Sequence, residues 1–460
     1  MRIPFRVRPC LLPVVPVVLF QLALSVPRHW RMQTSGFDLG IFEEAVRGYA
    51  YLERPVVTLK GAGFVQLGDH FSPALAVLAP FYRLWPAPET LLVAQSLLFA
   101  LSVVPVTGLA VQWLGRARGV AAGLAYGLSW GLWQASVFDF HEIALAVPLV
   151  ACATVALARG RWRAAVCWAL PLLLVKEDQS LLLAGVGGYV LLVGRRRGLG
   201  AAGLAAAVLG TLLTVLVLIP AANPIGTYAY GATAAPDDGD PLSRLLLPVD
   251  KWWTVGAIVA PTLLLALRSP LALLMVLPLA ARFWSANPAY WSTGWHYNAV
   301  LMPIVFVAAI DGLRRLPRRP SLRVAPAAML AVALLAAPVP DLSGPGPDIL
   351  TARQVLATVP DGARVAAANR LAPQLTSRCT VSLFPFLTFP DGTGSTGLSP
   401  DDRSPLFRPV AEWAATLDTP DGFPAPAPAD LTAQAALPTA GYRPVAHGAG
   451  ITIWHWEPGH

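Results

Sequence analysis

Eleven apolar runs separate the charged residues of the first 338 positions, a pattern that indicates a chain folding within a lipid bilayer. A membrane-spanning helix needs about 20 apolar residues, or fewer where neighbouring helices shield it. Only 13% of the 460 residues are charged, about half the share in a soluble domain. We therefore predict an α-helical polytopic membrane protein with spans at 11–27, 90–114, 119–137, 143–158, 163–175, 180–194, 199–219, 252–267, 270–284, 297–311 and 322–338.

The loops between these runs differ in charge from one side of the bilayer to the other. With a cytoplasmic N-terminus, half of the 34 basic residues fall in short cytoplasmic loops, as the positive-inside rule requires. All but one of the 26 acidic residues, the exception being Asp311, fall on the opposite side. We expect a multi-pass protein of the cytoplasmic membrane with an extracytoplasmic C-terminal domain. Its dispersed basic clusters fit anionic membrane lipid as a partner and give no indication of nucleic-acid binding.

Composition changes to that of a soluble domain after residue 338. We predict a transmembrane domain at 1–338, with a long first extracytoplasmic loop at 28–89, and a small extracytoplasmic α/β domain at 339–460. The apolar stretch at 73–85 is too short to cross and predicts an interfacial helix. In the tail we expect a helix at 348–358, a loop at 390–430, and strands at 363–368, 380–384, 442–446 and 451–456.

Polar clusters on the predicted outer face are the candidates for function, because ionisable groups at membrane depth are costly. Asp38 stands near the start of an amphipathic segment and fits either a helix cap or a general base or cation ligand. Asp69 and His70 precede Ser72 and Pro73, which are typical of a helix start.

Three further clusters lie where predicted spans meet water. Asp139, His141 and Glu142 crowd one boundary, where single polar residues are common. Lys176, Glu177 and Asp178 form the turn of a short hairpin, which fits a solvated salt-bridged turn or an anion site. Trp295 and Tyr297 fit an interfacial aromatic belt, which leaves His296 unexplained.

The combination of motifs is more specific than any one of them. Phe37-Asp-Leu-Gly-Ile-Phe-Glu43, His70-Phe-Ser-Pro73, Asp139-Phe-His141 and Lys176-Glu-Asp178 together closely resemble a family of predicted prokaryotic membrane proteins of unknown function, DUF2079. In the tail, Val359-Pro-Asp-Gly-Ala-Arg-Val365, Leu371-Ala-Pro-Gln-Leu-Thr-Ser-Arg378 and Phe384-Pro385 resemble the same family. The resemblance covers most of the chain, about residues 35–390.

That family is similar in turn to the C-type (GT-C) glycosyltransferases, which use polyprenyl-phosphate sugars on the outer membrane face. The resemblance implies a polyprenyl-phosphate-linked sugar as donor, Asp38 as candidate general base for the acceptor hydroxyl, and Lys176 as partner of the lipid phosphate. Further substrate-binding candidates are His70, Asp139, His141, Glu142, Glu177 and His296. No second acid lies two residues from Asp38, so a DxD-type metal site is not predicted.

Other classes of function stay open at this stage. The chain has no Walker A, HExxH, GxSxG or Rossmann motif in a suitable context, and no cofactor is indicated. A transporter is an alternative, although almost no ionisable residue lies in the middle of a predicted span. A non-enzymatic envelope protein with an outward-facing polar cavity is another. His70, His141 and His296 with nearby carboxylates would also suit a metal.

Overall fold

The chain divides into two compact units in the computed structural model, which describes residues 8–230, 241–317, 320–392, 394–396 and 409–457. The first unit contains Met1–Ser25, Leu67–Ala74 and Val93–Pro340. The second unit contains Val26–Gln66, Leu75–Leu92 and Asp341–His460. The domain boundary placed at residue 338 from composition stays a prediction.

Helices account for most of the chain before residue 338, because backbone polar groups in a bilayer must be paired within their own segment. The α-helices are Arg8–Leu11, Val14–Trp30, Glu89–Leu114, Arg116–Gly127, Trp130–Phe138, Ile143–Ala158, Trp162–Ala169, Ser180–Leu192, Arg197–Leu213, Ile219–Ala222, Pro241–Leu246, Asp250–Val259, Val276–Trp284, Pro288–Trp291, Met302–Arg315 and Ala325–Ala336. A π-helical turn covers Thr214–Leu218. The 3-10 segments are Leu170–Leu174, Glu177–Gln179, Ala260–Thr262, Leu265–Arg268, Pro270–Met275, His296–Leu301 and Pro320–Val324.

Among the residues that the structure describes, four helical stretches are long and apolar enough to cross a membrane: Pro9–Trp30, Glu89–Leu114, Arg197–Ala222 and Pro288–Arg315. The other seven predicted runs are also helical, in shorter or interrupted segments. The α-helical class of the fold is therefore confirmed. The number of eleven crossings stays a prediction.

Two adjacent helices of the first unit, Ser180–Leu192 and Arg197–Leu213, approach each other closely. A Cβ atom added at Gly187 would lie 2.8 Å from the backbone nitrogen of Leu204, and one at Gly200 would lie 2.6 Å from that of Leu191. Small residues permit such close approach of helices in membranes. The glycines therefore let the backbones of the two helices pack in close contact.

The second unit combines helices of the first loop with the C-terminal tail. Its helical segments before the tail are Gly36–Gly40, Ile41–Ala50, Thr58–Lys60 and Ala79–Leu84, whereas Gln66–Gly68 and Pro73–Leu78 each belong partly to the first unit. Pro73–Leu78 and Ala79–Leu84 cover the stretch predicted as an interfacial helix, which is helical as expected; its place at the membrane surface stays a prediction. In the tail, helices cover Pro347–Leu356, Ala372–Gln374, Ala427–Ala436 and Pro438–Ala440.

A five-stranded mixed sheet forms the centre of the tail. The strands of the tail are β1 Arg364–Ala367, β2 Thr380–Leu383, β3 Leu387–Thr388, β4 Ser395–Thr396, β5 Trp413–Leu417, β6 Tyr442–Gly448 and β7 Ile451–Trp456, and β3 pairs with β4 in a separate two-stranded sheet. The other five lie in the order β2-β1-β5-β7-β6, with β1 parallel to β2 and β5, and β7 antiparallel to β5 and β6. Tyr442, the first residue of β6, is buried and donates a hydrogen bond to the carbonyl of Ala411 at 2.6 Å.

The small C-terminal α/β region is thus confirmed, but the expectation of a loop across 390–430 is wrong in part, and positions 393 and 397–408 of it lie outside the described residues. Strand β5, Trp413–Leu417, lies at the middle of the sheet between β1 and β7. Its sequence, Trp-Ala-Ala-Thr-Leu, contains two alanines, which have weak strand propensity. Pairing on both edges and burial of Ala414 and Ala415 stabilise the strand despite that propensity.

Candidate active site

Lys176 and Glu177 lie at the turn of a short helical hairpin in the first unit. The helix Trp162–Ala169 tightens into the 3-10 segment Leu170–Leu174, where Pro171 lacks an amide hydrogen to continue the α-helical pattern. Lys176 is extended, with φ −166° and ψ 149°, and the 3-10 turn that follows leads into the next helix. Both side chains are buried. Lys176 and Glu177 are therefore shielded from solvent, whereas Asp178 of the same turn is exposed.

An ion pair joins this turn to the segment before helix Ile143–Ala158. Nζ of Lys176 lies 2.9 Å from Oε1 of Glu142, and the Glu142 side chain is fully buried. The other carboxylate oxygen of Glu142 contacts Nδ1 of His141. Buried charges persist only where each has a partner of opposite charge. Two of the predicted clusters therefore form one structural element.

The buried amide of Gln95 fixes the backbone that carries His141 and Glu142. Its Nε2 donates to the carbonyl of Asp139 at 2.9 Å, and its Oε1 accepts from the amide of His141 at 3.2 Å. Asp139 itself is buried and has φ 156°. One side chain thus satisfies a donor and an acceptor in a turn that has no regular secondary structure.

Mutual charge stabilisation dominates the ionisation of the pair. Burial alone would lower the pKa of Lys176. The negative charges of Glu142 and, to a smaller extent, Asp178 outweigh burial and raise that pKa well above its ordinary value. Burial is likewise outweighed at Glu142, whose pKa is held well below its ordinary value by His141 and Lys176. Burial lowers the pKa of His141. At neutral pH Lys176 is therefore a cation and Glu142 is an anion.

A second ion pair joins Glu177 to the segment Gly68–Ser72. Nδ1 of His70 lies 2.6 Å from Oε1 of Glu177, and Oε2 of Glu177 accepts from the amide of Phe71 at 3.2 Å. Burial lowers the pKa of His70, but the Glu177 carboxylate outweighs it and the net pKa is raised. Burial raises the pKa of Glu177, but His70 outweighs it and the net pKa is lowered. His70 and Glu177 are thus stabilised as a charged pair.

Two tyrosines of the loop after helix Ile219–Ala222 complete this cluster. Tyr228 donates its hydroxyl to Oε1 of Glu177 at 3.2 Å, and Tyr230 donates to Oδ1 of Asp69 at 3.0 Å. The Tyr230 ring stacks on the His70 ring with centroids 4.5 Å apart. Nothing in the sequence motifs indicated these tyrosines. Their only signal was aromatic content in a loop of the predicted outer face.

Gly68 allows the His70 segment to lie against the chain near residue 222. A Cβ atom at Gly68 would lie 2.6 Å from the carbonyl carbon of Ala222, a distance that side chains do not adopt. The Gly68 carbonyl accepts from Nδ2 of Asn223 at 2.8 Å. A glycine is required here for close approach of two backbones.

His296 stacks on His141 with ring centroids 3.5 Å apart. It is 2% exposed, and within the described ranges neither of its ring nitrogens has a hydrogen-bond partner. The Phe138 ring centroid lies 5.1 Å from that of His296. His296 therefore belongs to the Lys176–Glu142 neighbourhood through an aromatic contact.

A cavity of about 180 Å³ opens between these clusters in the first unit. The residues that line it with ionisable or amide side chains include Lys176, Glu177, Asp178, His70 and Gln179. The remaining lining residues are apolar, aromatic or hydroxyl-bearing, apart from one arginine: Leu181, Leu182, Tyr228, Tyr230, Pro278, Ala281, Arg282, Ser285, Tyr290, Tyr297 and Val300. Such a mixture, mostly apolar with a few convergent charges, is typical of a ligand site.

Arg282 is a charged residue of this cavity that the sequence motifs missed. It is 8% exposed, and within the part of the chain that the structure describes its Nη1 has no hydrogen-bond partner. Its guanidinium carbon lies 5.8 Å from the Tyr297 ring centroid, a cation–π contact. The available signal was a charge within the apolar run 270–284, which is costly and therefore functional by default.

Asp38 belongs to the second unit, in the π-helical turn Gly36–Gly40. Ser35 precedes the turn without capping it by its side chain, and its hydroxyl lies 3.5 Å from Oδ2 of Asp38. Asn369 of the tail fixes the turn, because its Oδ1 accepts from the Phe37 amide at 2.9 Å. A Cβ atom at Gly36 would lie 2.6 Å from that of Ala372, so a glycine is required here too.

Two buried glutamates follow Asp38 on the next helix, Ile41–Ala50. Glu43 accepts from the Tyr82 hydroxyl at 2.8 Å and from Thr376, and Glu44 accepts from the Thr58 hydroxyl at 2.6 Å. Burial raises the pKa of each to about 7. Glu43 thereby joins the first loop to the tail, and Glu44 joins two parts of the first loop.

The sequence-predicted residues are thus distributed over both units. In the first unit, His70, Asp139, His141, Glu142, Lys176, Glu177 and His296 belong to the linked clusters around the cavity, and Asp38 belongs to the second unit. Among the described residues, no group of three or more His, Cys, Asp or Glu side chains is placed to hold a metal ion.

Comparison with solved structures identifies the fold. ArnT from Cupriavidus metallidurans, solved bound to undecaprenyl phosphate, matches with a TM-score of 0.59 and 14% sequence identity, over 96% of this chain and 97% of that one. No curated protein sequence matches. The match and the apolar helices identify a multi-pass membrane protein with a fold similar to that of ArnT. The family described as predicted membrane protein (DUF2079) matches residues 28–389, and the chain belongs to it. The family resemblance seen in the sequence motifs is therefore confirmed.

Proposed function

We propose that this protein is a GT-C-type glycosyltransferase that moves a sugar from a polyprenyl-phosphate donor to an acceptor at the outer face of the cytoplasmic membrane. The observation that carries the proposal is the convergence of two buried cations, Lys176 and Arg282, on one cavity. The ArnT-like fold over nearly the whole chain supports it, and the ArnT structure holds undecaprenyl phosphate.

Phosphate recognition follows from the chemistry of the two cations. Arginine presents planar donors that match phosphate oxygens, and lysine adds a compact positive charge. Glu142 occupies one side of Lys176, whereas Nη1 of Arg282 has no partner within the described residues. A bound lipid phosphate would supply that partner and remove the cost of a buried unsatisfied donor.

Sugar transfer would use these cations to stabilise the leaving group. An acceptor oxygen forms a bond to the anomeric carbon as the bond from that carbon to the phosphate oxygen breaks. The electron pair leaves with the polyprenyl phosphate, whose negative charge Lys176 and Arg282 stabilise. Asp38 takes the acceptor proton as general base. Tyr228, Tyr230, Tyr290 and Tyr297 offer hydroxyl groups and ring faces to the sugar.

The proposal includes the topology inferred from charge. The N-terminus is cytoplasmic, the tail domain beginning at residue 339 is extracytoplasmic, and the chain crosses eleven times. His70, Asp139, His141, Glu142, Glu177 and His296 are proposed to bind or position substrate. The Lys176–Glu142 and His70–Glu177 ion pairs support positioning roles for the four residues that form them.

Lipid binding and donor turnover test the proposal. Purified protein in nanodiscs would be assayed for undecaprenyl phosphate by native mass spectrometry, and for release of undecaprenyl phosphate from a panel of its glycosyl derivatives. Arg282→Gln removes a cation without leaving a carboxylate unpaired, and Arg268→Gln outside the cavity is the charge-matched control. We expect the affinity for undecaprenyl phosphate to fall at least tenfold in Arg282→Gln and to stay unchanged in Arg268→Gln. Equal binding by Arg282→Gln and the native protein would contradict the proposal.

A further inference from the structure

A second, larger cavity lies at another part of the first unit and is strongly basic. It has a volume of about 700 Å³ and lies between the loops that precede helices Trp162–Ala169 and Arg197–Leu213. Its lining residues are Arg161, Trp162, Arg163, Ala164, Arg195, Arg196, Arg197, Gly198 and Leu199. Five of these nine are arginines, and none is acidic.

The five arginines lack internal compensation. Within the ranges that the structure describes, none of their side chains forms an ion pair or a hydrogen bond. Both helices begin at this cavity, with Arg161 and Arg196 at their N-cap positions, and neither has an acidic residue in its first turn. Positive side chains at a helix N-terminus are unfavourable because the helix dipole already places positive charge there. Such an arrangement is stable when an anion occupies it.

The loops that carry the arginines are held in place by the backbone. Arg161 donates its amide to the carbonyl of Ala156 at 2.8 Å, and Arg196 donates to that of Val190 at 3.1 Å. The Trp162 ring packs against the other loop, since a Cβ atom at Gly194 would lie 3.1 Å from it. The two basic loops are therefore fixed against each other and preorganised for one ligand.

We propose that this cavity binds a phosphate-bearing anion, independently of the proposed sugar transfer. Guanidinium groups match phosphate oxygens in charge and geometry. Basic pockets between membrane helices bind anionic lipid headgroups, and Trp162 fits the aromatic level of the membrane interface. The same phosphate chemistry is present in a diphosphate lipid headgroup and in a soluble diphosphate.

Two probes distinguish these sources. Protein in detergent would be examined by native mass spectrometry with cardiolipin, with phosphatidylcholine as the neutral reference, and by calorimetry with pyrophosphate. Arg163→Gln with Arg197→Gln removes one cation from each loop. Arg116→Gln with Arg268→Gln removes two exposed arginines that lie outside the cavity. Each arginine near the surface contributes about 1 kcal/mol to such binding, so the cavity pair should weaken binding by about 10- to 30-fold.

A gain of charge provides a variant that should fold well. A Cβ atom at Gly198 meets nothing within 4 Å, and Gly198→Glu places a carboxylate in the first helical turn, where acids stabilise a helix. We expect Gly198→Glu to keep the thermal stability of the native protein and to lose anion binding as the cavity pair does. If cardiolipin binds and pyrophosphate does not, the cavity is a lipid headgroup site. If pyrophosphate binds, the cavity is a site for soluble diphosphates. Binding of neither probe, or equal losses in the control pair, would overturn the proposal.

Discussion

Nζ of Lys176 lies 2.9 Å from Oε1 of Glu142 in a buried ion pair that links a hairpin turn to the start of a distant helix. Because desolvation opposes both charges, each requires the other. Glu142 therefore keeps Lys176 charged at the wall of the cavity. The Lys176 side chain is therefore charged although it is buried.

Removal of either partner should destabilise the protein. In Lys176→Met or Glu142→Gln the remaining group is buried without compensation, at a cost of about 3–5 kcal/mol. The double variant removes both charges and should recover most of the lost stability. Thermal unfolding in detergent, analysed as a double-mutant cycle, measures this coupling. Additive losses in the double variant would show that the two residues do not act as a pair.

The proposed general base can be separated from lipid binding. Asp38→Asn keeps the size of the side chain but removes its ability to accept a proton at neutral pH. We expect sugar transfer to fall by about 100-fold or more, within the usual contribution of general base catalysis, while binding of undecaprenyl phosphate is unchanged. Asp348→Asn, in the tail helix, is the control. Unreduced transfer by Asp38→Asn would exclude Asp38 as the base.

The His70–Glu177 pair should give stability a defined pH dependence. The folded-state pKa of His70 is raised, so its contribution is complete below the ordinary value of 6.5 and is lost as pH rises through the raised value. The pKa of Glu177 is lowered, so its contribution is present above 4.5 and is lost as pH falls through the lowered value.

The stability difference between the native protein and His70→Gln should therefore be largest between pH 4.5 and 6.5 and decline at higher pH. Melting temperatures of both proteins measured across the pH range provide the comparison. A difference that does not vary with pH would show that His70 contributes by packing alone.

Glu43 should change stability with pH in the same direction as His70. Burial raises the pKa of Glu43 from 4.5 to about 7, so the native protein loses stability as pH rises through that interval, because the unfolded chain releases the proton there while the folded protein keeps it. Glu43→Gln resembles the protonated carboxyl group and avoids this loss. We expect the melting temperature of Glu43→Gln, relative to the native protein, to increase between pH 4.5 and pH 8. A relative decrease over that range would contradict the assignment.

Local sequence signals were sufficient for the helices and insufficient for parts of the site. Apolar runs define helices because burial in lipid requires both apolar side chains and internally paired backbone. Lys176 and His70 were found because charges near apolar runs are costly and therefore conspicuous. Arg282 was missed because a lone arginine near the end of a run resembles an ordinary membrane boundary residue.

Long-range pairing was beyond the reach of sequence patterns. The partners of Glu177 include His70 and Tyr228, which are far from it in sequence and share no spacing rule with it. Strand β5 was missed for the same reason, since its central place depends on strands β1 and β7 and not on its own alanine-rich sequence. Motif order indicated the family, but only packing brings these groups together.

The central claim, that Lys176 and Arg282 together receive a lipid phosphate, is tested most directly by a cryo-electron microscopy structure of the protein with undecaprenyl phosphate in nanodiscs. We predict phosphate density within hydrogen-bond distance of Nζ of Lys176 and the guanidinium group of Arg282. Phosphate density elsewhere, or an empty cavity at saturating lipid, would contradict the account.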